Sequence, residues 1–483
     1  MQIFLNNYPD NYEIEQLTRM FFKDTSVSFC KKSPKGTKED FIYIRQNSKR
    51  VAVYSFCNKK RQIAFLPIFS VKREKDFQIG ITAYNMYKNA LGHGLPWGVL
   101  TGIRPVRLMR NLYKEDGILQ NVIKKFEDYY MVSPEKTKLC SDIFTLQQPI
   151  ISKIKPNHFS LYISIPFCPS RCSYCSFVST STKNAQGLME EYVDKLCQEI
   201  KYTAKVAERD GLELQTIYMG GGTPTAITAQ QLKKVMMTVR QAFDLSKVIE
   251  YTVEAGRPDC TDLEKLEIIK EYGADRVSIN PQTFSDNVLA AIGRNHTHQD
   301  FLDCVETAKK VGFKAINMDL IAGLPEDTVE GFENSLRGCI ALGAENITVH
   351  TLTLKRASNL VIKDEHHSYE DVGKMIAKNQ ILTQNGYRPY YMYRQKSTLQ
   401  NLENVGFSQL GHESLYNIYI MEEIQTIISC GAGGVSKVVG GKGEIERVYN
   451  FKYPAEYVKN FQAIINRKDE VFKLCQQFGY PKD

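Results

Sequence analysis

The sequence predicts an α/β protein. Its centre is a partial parallel barrel of six strand–helix units, (β/α)6, between an N-terminal α/β domain and a smaller C-terminal domain. Three observations carry this expectation. From His158 onward, short apolar strand-like runs alternate with helical ones, the pattern of a parallel sheet covered by helices. A length of 483 residues exceeds one core and at roughly 150 residues per domain divides into two to four. A hydrophobic content of 43% with 24% charged residues is that of an ordinary globular chain and excludes disordered or collagen-like classes.

Residues 1–150 read as a mixed unit. RVAVYSF at 50–56 and QIAFLPIF at 62–69 suit strands joined by the basic turn CNKKR. AYNMYKNAL and the stretch from Pro105 to Tyr113 suit helices, the second opening on a proline at its first turn. On that helix Arg104, Arg107 and Arg110 recur every third residue and share a face, which is either a grip for carboxylates or phosphates or a solvated stripe.

The barrel is expected over 158–385. LYISI leads into a helix at 187–207, QTIYM into one at 228–243 and IEYTVEA into one at 261–272. RVSIN precedes helical stretches at 285–292 and 298–311, INMDLIAG precedes 328–341, and ENITVHTL precedes a longer irregular stretch. These strands are apolar without alternation, as strands buried on both faces are. Six units fall short of the eight that close a barrel, so an open one is expected. Residues 386–483, with the tyrosine- and arginine-rich GYRPYYMYRQK and the glycine-rich ISCGAGGVSKVVGGKG, read as an appended domain or lid.

Charge and cysteine usage bound the partners. Residues 1–157 hold 26 Lys and Arg against 14 Asp and Glu, whereas the remainder is slightly acidic. A basic N-terminal third suits an anionic partner or a lysine-rich surface. No run approaches 18 uncharged apolar residues and the N-terminus lacks a secretory pattern, so a cytoplasmic protein without a membrane span is expected. Of the 12 cysteines, Cys30, Cys57, Cys140, Cys197, Cys260, Cys304, Cys339, Cys430 and Cys475 stand singly, as reduced buried thiols do.

The other three lie within eight residues. Cys168, Cys172 and Cys175 form C-x3-C-x2-C directly after the first barrel strand, where parallel α/β folds place active-site loops. Structural zinc takes four ligands, commonly as two separated pairs, and Cys197 lies more than twenty residues on in a helical stretch. An iron–sulfur cluster is bound by thiolates. Three thiolates on a four-iron cluster leave one iron open. GGGTPT at 220–225 follows the second strand, and its glycines let the backbone approach a ligand and offer N–H donors. Glu254 ends the third strand, Gln282 lies in NPQTF, Arg294 in IGRNHT and Asp319 in NMDLIAGLP.

This cysteine spacing, with the aromatic Tyr174 before its last member, resembles the radical S-adenosylmethionine superfamily. The ordered downstream motifs resemble the oxygen-independent coproporphyrinogen III oxidases and their relatives. The N-terminal region, LPWGVLTGIRP, VEAGRPD and NLENVGFSQLGHESLYNI resemble the longer branch called HemZ. The resemblance implies a radical-SAM barrel, a [4Fe-4S] cluster on Cys168, Cys172 and Cys175, and S-adenosyl-L-methionine held by Tyr162, Tyr174, Gly220, Gly221, Gly222, Thr223, Glu254, Gln282, Arg294 and Asp319.

It further implies oxidative decarboxylation of porphyrinogen propionates to vinyls, driven by a one-electron donor such as flavodoxin or ferredoxin. Arg104, Arg107, Arg388 and Arg394 are the candidate propionate contacts; no residue is singled out as catalytic. Two departures open a second reading. The oxidases continue the motif with a further cysteine where this chain has Phe177, the pattern of the branch that includes haem chaperones. Those chaperones carry H-N-x-x-Y-W, and here Tyr416, Ile420 and Met421 replace its ligand and aromatics, Asn417 alone matching, with His412 one turn away. A third reading, a radical enzyme acting on RNA, finds support only in the basic N-terminal region. No RNP-type aromatic–basic run and no second cysteine cluster is present, so nucleic acid is not an expected partner. His296, His298 and the pair His366–His367 fall near expected loops, and Cys430 sits beside a glycine-rich element.

Overall fold

The computed structural model describes the chain apart from residues 9–11, 23–25, 31–33, 35, 103, 178, 355–357, 359, 361–370, 396–397, 442 and 480–483. His366 and His367 lie outside the described residues. Two compact units are present, Met1–Phe144 and Thr145–Asp483.

The N-terminal unit holds a five-stranded sheet in the order Ser28–Cys30, Gln2–Asn6, Phe41–Gln46, Val51–Cys57, Lys60–Leu66. Asn58 and Lys59 take positive φ (48° and 64°) in the two-residue turn between the last two strands, the conformation that matches strand twist in a hairpin. Helices Tyr12–Phe21 and Lys72–Leu91 bury Ile14, Leu17, Ile79 and Ala83 against Ile3, Ile42, Ile44 and Val53. Helices Pro105–Asp116 and Leu119–Asp128 follow. Arg110 is buried on the first of these, so the arginine stripe is not a solvated face.

In the second unit, strands His158–Ile165, Glu213–Gly221, Glu250–Glu254, Arg276–Ser278, Ala315–Ala322 and Asn346–Thr351 lie side by side in chain order, all parallel. Helices return between them, several begun by a side-chain cap at the loop: Thr228 on Gln231, Asp262 on Lys265, Thr297 on Asp300 and Thr328 on Gly331. This is the expected partial (β/α)6 barrel. Residues beyond 386 do more than append a domain. Thr426–Cys430 adds in parallel to the first strand and carries the hairpin Val435–Val439 and Ile445–Tyr449, while Glu403–Ser408 adds antiparallel to the sixth and Arg388–Arg394 pairs antiparallel with Glu403–Ser408 at the edge. The result is one sheet of eleven strands. Apolar patterning marks these runs as strands but carries no record of which edge they pair with.

The helix Leu415–Glu422 is fastened to the barrel by one buried carboxylate. Glu250, at the start of the third strand, accepts from Ser414 Oγ (3.0 Å), Leu415 N (2.6 Å) and Tyr416 N (3.0 Å). An acid at a helix N-terminus satisfies N–H groups that have no partner in the helix and suits the helix dipole. Arg276 lies 3.8 Å from the same carboxylate and also bonds Asn346. Glu250→Ala leaves Arg276 and the helix N–H groups buried without this partner. We expect a loss of about 3–5 kcal/mol, read by urea denaturation.

Candidate functional site

A cavity of about 560 Å³ sits at the C-terminal ends of the barrel strands, lined from each strand or from the loop that leaves it. Its rim starts with the cysteine loop. Phe167–Cys168 pairs with Thr180–Ser181 and closes that loop on itself. Ser173 N bonds Ile292 O (2.9 Å), and Arg257 Nη1 bonds Ser170 O (3.0 Å). Cys168, Cys172 and Cys175 all face the cavity. Thr223 Oγ1 donates to Cys168 Sγ at 3.6 Å, and Arg257 Nη1 lies 3.8 Å from Cys172 Sγ, its guanidinium held by both oxygens of Asp259 (2.9 and 2.6 Å).

The glycines after the second strand are there for space. Gly221 takes φ 111°. A Cβ on Gly222 would lie 2.5 Å from Phe167 O and 3.0 Å from Cys168 Sγ, and one on Gly220 would lie 2.8 Å from Glu254 Oε2. Gly222 N and Thr223 N are bonded to Ile165 O and Phe167 O, both at 2.8 Å, so this backbone runs against the root of the cysteine loop.

The floor is polar and half-buried. Tyr218 OH donates to Glu254 Oε1 at 2.5 Å. Burial, with Asp319 nearby, pushes the Glu254 carboxyl up to about 7 despite that bond. Burial also works to raise Asp319, but hydrogen bonding and charge from His350, with bonds from Asn317 and Thr348, bring it below its usual range. His350 Nε2 stands 3.7 Å from Asp319 Oδ2, and its Nδ1 is 3.2 Å from Tyr393 OH. Arg294 Nη1 bonds Asn280 O (2.7 Å) and Gly256 O (3.2 Å), while Nη2 reaches Tyr174 OH (3.4 Å). Gln282, at φ 67°, is buried with its Oε1 unpartnered among the described residues. Above the floor Tyr218 stacks on Tyr416 with ring centroids 4.5 Å apart, and Tyr162 stacks beside both at 6.3 Å. Tyr391 and Tyr393 complete an aromatic wall, and Phe177, Ile420 and Met421 line the cavity as well.

Among the described residues, no three His, Cys, Asp or Glu side chains converge closely enough to share one metal ion. A single zinc does not suit the loop. A four-iron cluster does, because each thiolate takes its own iron at a separate corner. The orphaned acceptor of Gln282 and the glycine cradle beside Cys168 fit a second, polar ligand next to it.

Residues 162–338 match the model of the radical SAM superfamily. The chain is 34% identical over 486 aligned positions to the oxygen-independent coproporphyrinogen-III oxidase-like protein HemZ of Bacillus subtilis, covering 96% of this chain and 95% of that one. The chain belongs to the HemZ family of radical SAM proteins. It is also 38% identical over 212 residues to the heme chaperone HemW of Bacillus subtilis, across 43% of this chain and 55% of that one. The fold is shared with coproporphyrinogen III oxidase HemN of Escherichia coli, at a TM-score of 0.52 and 22% identity over 67% of this chain and 73% of that chain. As a radical SAM protein, this HemZ-family chain works with a [4Fe-4S] cluster and S-adenosylmethionine and needs an electron donor. Among the described residues no helix is long and apolar enough to cross a membrane.

Of the thirteen cluster and cofactor positions read from the sequence, twelve line the cavity; Gly220 instead gives the Glu254 carboxylate its room. The propionate candidates fare differently. Arg104 and Arg107 belong to the N-terminal unit, Arg388 is exposed, and Arg394 is buried opposite Glu403; neither Arg388 nor Arg394 lines the cavity. In that strand Tyr391 and Tyr393 face the cavity, and alternation turns Arg394 away. Arg171 and Lys437 are the cations at its wall besides Arg257 and Arg294.

The expected histidines also miss the cavity. His296 is buried beside Arg294, with burial and that charge pushing it down to about 4; His298 packs on Phe284, and His412 does not line the cavity. Cys430 is buried against Thr203, its thiol pushed up to about 12, and only its neighbours Gly433 and Val435 reach the cavity. The sequence reading passed over Arg257, His350, Tyr218, Tyr391 and Tyr393. Position was the available signal: His350 is one residue from the C-terminal end of a barrel strand, and Arg257 follows Glu254 by three.

Gly222→Ala should keep its far-UV circular dichroism yet take up only a minor share of the iron that the unaltered chain takes on anaerobic reconstitution, read by iron and sulfide analysis. Because Glu254 titrates near 7 rather than 4.5, the folded chain holds a proton that the unfolded chain releases across that window. Its contribution is complete below 4.5 and is lost as pH rises through 7. Relative to Glu254→Gln, the unaltered chain should lose about 3 kcal/mol between about pH 5 and about pH 8, at ~1.4 kcal/mol per pH unit, in paired denaturation curves.

Proposed function

We propose that the chain is an oxygen-independent coproporphyrinogen III dehydrogenase, oxidatively decarboxylating two propionates to the vinyls of protoporphyrinogen IX. The observation that carries this reading is the junction, in one cavity, of three thiols with a chamber walled by five tyrosines. The four pyrrole rings of a porphyrinogen suit that wall, because aromatic faces bury large apolar area while keeping hydroxyls for polar contact. Full-length similarity to a coproporphyrinogen-III oxidase-like protein supports the substrate class.

In this reading Cys168, Cys172 and Cys175 would each hold one iron, and Arg257 would donate to the Cys172 sulfur. Gly221, Gly222 and Thr223 would pass the methionine portion of S-adenosylmethionine along their backbone. Gln282 Oε1 and the ionised Asp319 would accept from its ammonium and hydroxyl groups, and Glu254, titrating near neutrality, would serve as donor or acceptor. Tyr174 and Arg294 would close the space between the cysteine loop and the floor. When bound, the cluster and S-adenosylmethionine supply a carbon radical able to take hydrogen from a propionate β-carbon. Each propionate then loses CO2 and one further electron to a one-electron acceptor, leaving a vinyl group. The tyrosine wall would exclude water and orient the side chain to be cleaved. Arg171 and Lys437 would meet the carboxylates that are retained.

Haem binding without turnover is the second reading, favoured by Phe177 and by the similarity to a heme chaperone. Tyr416 stands against it: burial pushes its phenol far up, so it stays neutral where a ligand to iron has to give up its proton.

The test is anaerobic incubation of the reconstituted chain with a reductant, S-adenosylmethionine and coproporphyrinogen III, followed by mass spectrometry. Loss of two CO2 per porphyrin, abolished in Cys172→Ala, is expected. Formation of 5′-deoxyadenosine with intact porphyrinogen would overturn the substrate. A Soret shift on adding haem would then favour the binding reading.

A further inference from the structure

The outer face of the N-terminal sheet carries a surface that the porphyrin reading does not use. Its helix-covered face buries Ile3, Ile42, Ile44, Val51 and Val53. Strand register places the alternate residues in rows on the opposite face. Phe41 lies beside Phe56 and Arg61, Tyr43 beside Tyr54 and Ile63, and Arg45 beside Ala52 and Phe65. Tyr43 and Tyr54 stack at 5.8 Å, Phe41 and Phe56 stand 6.1 Å apart, and Ile63 and Phe65 are 52% and 48% exposed. Guanidinium groups lie over the rings: Arg50 is 4.2 Å from the Phe65 centroid, and Arg61 is 5.8 Å from that of Phe56. Residues 41–70, which build these strands and their turns, hold six Lys and Arg (Arg45, Lys49, Arg50, Lys59, Lys60, Arg61) and no Asp or Glu.

We propose that this sheet face binds single-stranded RNA. Three features converge on that partner. Aromatic rings spread over a flat sheet offer stacking platforms to unpaired bases, whose faces are available only in single strands. Arginines beside the rings add stacking and cation–π contact. Arg45, Arg50 and Arg61 on this face, with Lys49 and Lys59 in the flanking turns, match a phosphate backbone; Lys60 turns to the helix side and donates to Asn89 O. An anionic membrane shares the charge match but offers no base faces to stack on the rings, and the apolar side chains exposed here, Ile63 and Phe65, are two. The pattern escapes a linear scan because it is assembled from three strands, two or three residues at a time. It is independent of the porphyrin reading.

The test is fluorescence anisotropy of a 5′-labelled, mixed-sequence single-stranded RNA titrated with the full chain. Binding that weakens steeply with salt is expected. Phe65→Ala should weaken it about tenfold, one stacked base being lost. Arg50→Glu and Arg61→Glu should each weaken it and lower the log–log salt slope by about 1 or more. All three variants should keep the far-UV circular dichroism and the 5′-deoxyadenosine yield of the unaltered chain. Three outcomes would overturn the proposal: no anisotropy change, equal affinity for the same sequence as a duplex, or binding untouched by Phe65→Ala. Displacement of the RNA by phosphatidylserine vesicles, with the chain sedimenting on them more tightly than it binds RNA, would assign the face to a membrane instead.

Discussion

The cavity depends on a close approach of two backbones. The end of the second barrel strand runs alongside the root of the cysteine loop, hydrogen-bonded at Gly222 and Thr223 to Ile165 and Phe167. There is no volume for a side chain at Gly222, since even one carbon would meet Phe167 O and the Cys168 sulfur. This contact fixes where the three thiols stand relative to the floor of the barrel. It also explains why glycine recurs where the chain leaves a strand that is otherwise apolar: the strand must end without bulk beside a loop that must carry sulfur. Arg257 fastens the far side of the loop through Ser170 and the Cys172 sulfur, and Asp259 spends both oxygens holding that guanidinium in place.

Below the loop, two acids in one half-buried floor are driven apart. Asp319 receives His350, Asn317 and Thr348 and stays ionised, whereas Glu254 has Tyr218 and the neighbouring negative charge and moves toward neutrality. Two carboxylates that near each other do not both favour the charged form in a buried site. The histidine stands between Asp319 at 3.7 Å and Tyr393, to which it is hydrogen-bonded, so the ionised acid and the aromatic wall meet at one imidazole. Polar recognition on the floor and apolar packing on the wall are built from the same strand ends.

Much of this was legible in the sequence because parallel barrels put chemistry in one place. Cys168, Cys172, Cys175, Glu254 and Gln282 follow or end predicted strands, Asp319 lies within one and Arg294 follows the short helix after another, and all line the cavity. Contributions from outside the barrel were not legible. Tyr391 and Tyr393 reach the site because Arg388–Arg394 pairs onto an added edge strand, and register between distant strands leaves no trace in local patterning. Arginine in the same segment looked suited to carboxylates, but its composition does not say which face it presents. Alternation sends Arg394 away from the cavity and the tyrosines into it. For the same reason the aromatic face of the N-terminal sheet becomes visible only when its strands are aligned.

The helix Leu415–Glu422 shows how one buried charge can decide what a site holds. Glu250 sits at the N-terminal end of its strand, far along the sheet from the cysteine loop, yet it docks the helix start and thereby seats Tyr416 on Tyr218. Arg276 neutralises Glu250 in part, and Asn346 holds Arg276, so the third, fourth and sixth barrel strands are linked to one helix end. By the motif resemblance, Tyr416 takes the place of the histidine in H-N-x-x-Y-W. Seated this way it contributes a neutral ring to the wall rather than a ligand to a metal, and Ile420 and Met421, one turn on, continue that wall with apolar surface. The helix thus completes the aromatic wall of the cavity from outside the six barrel units.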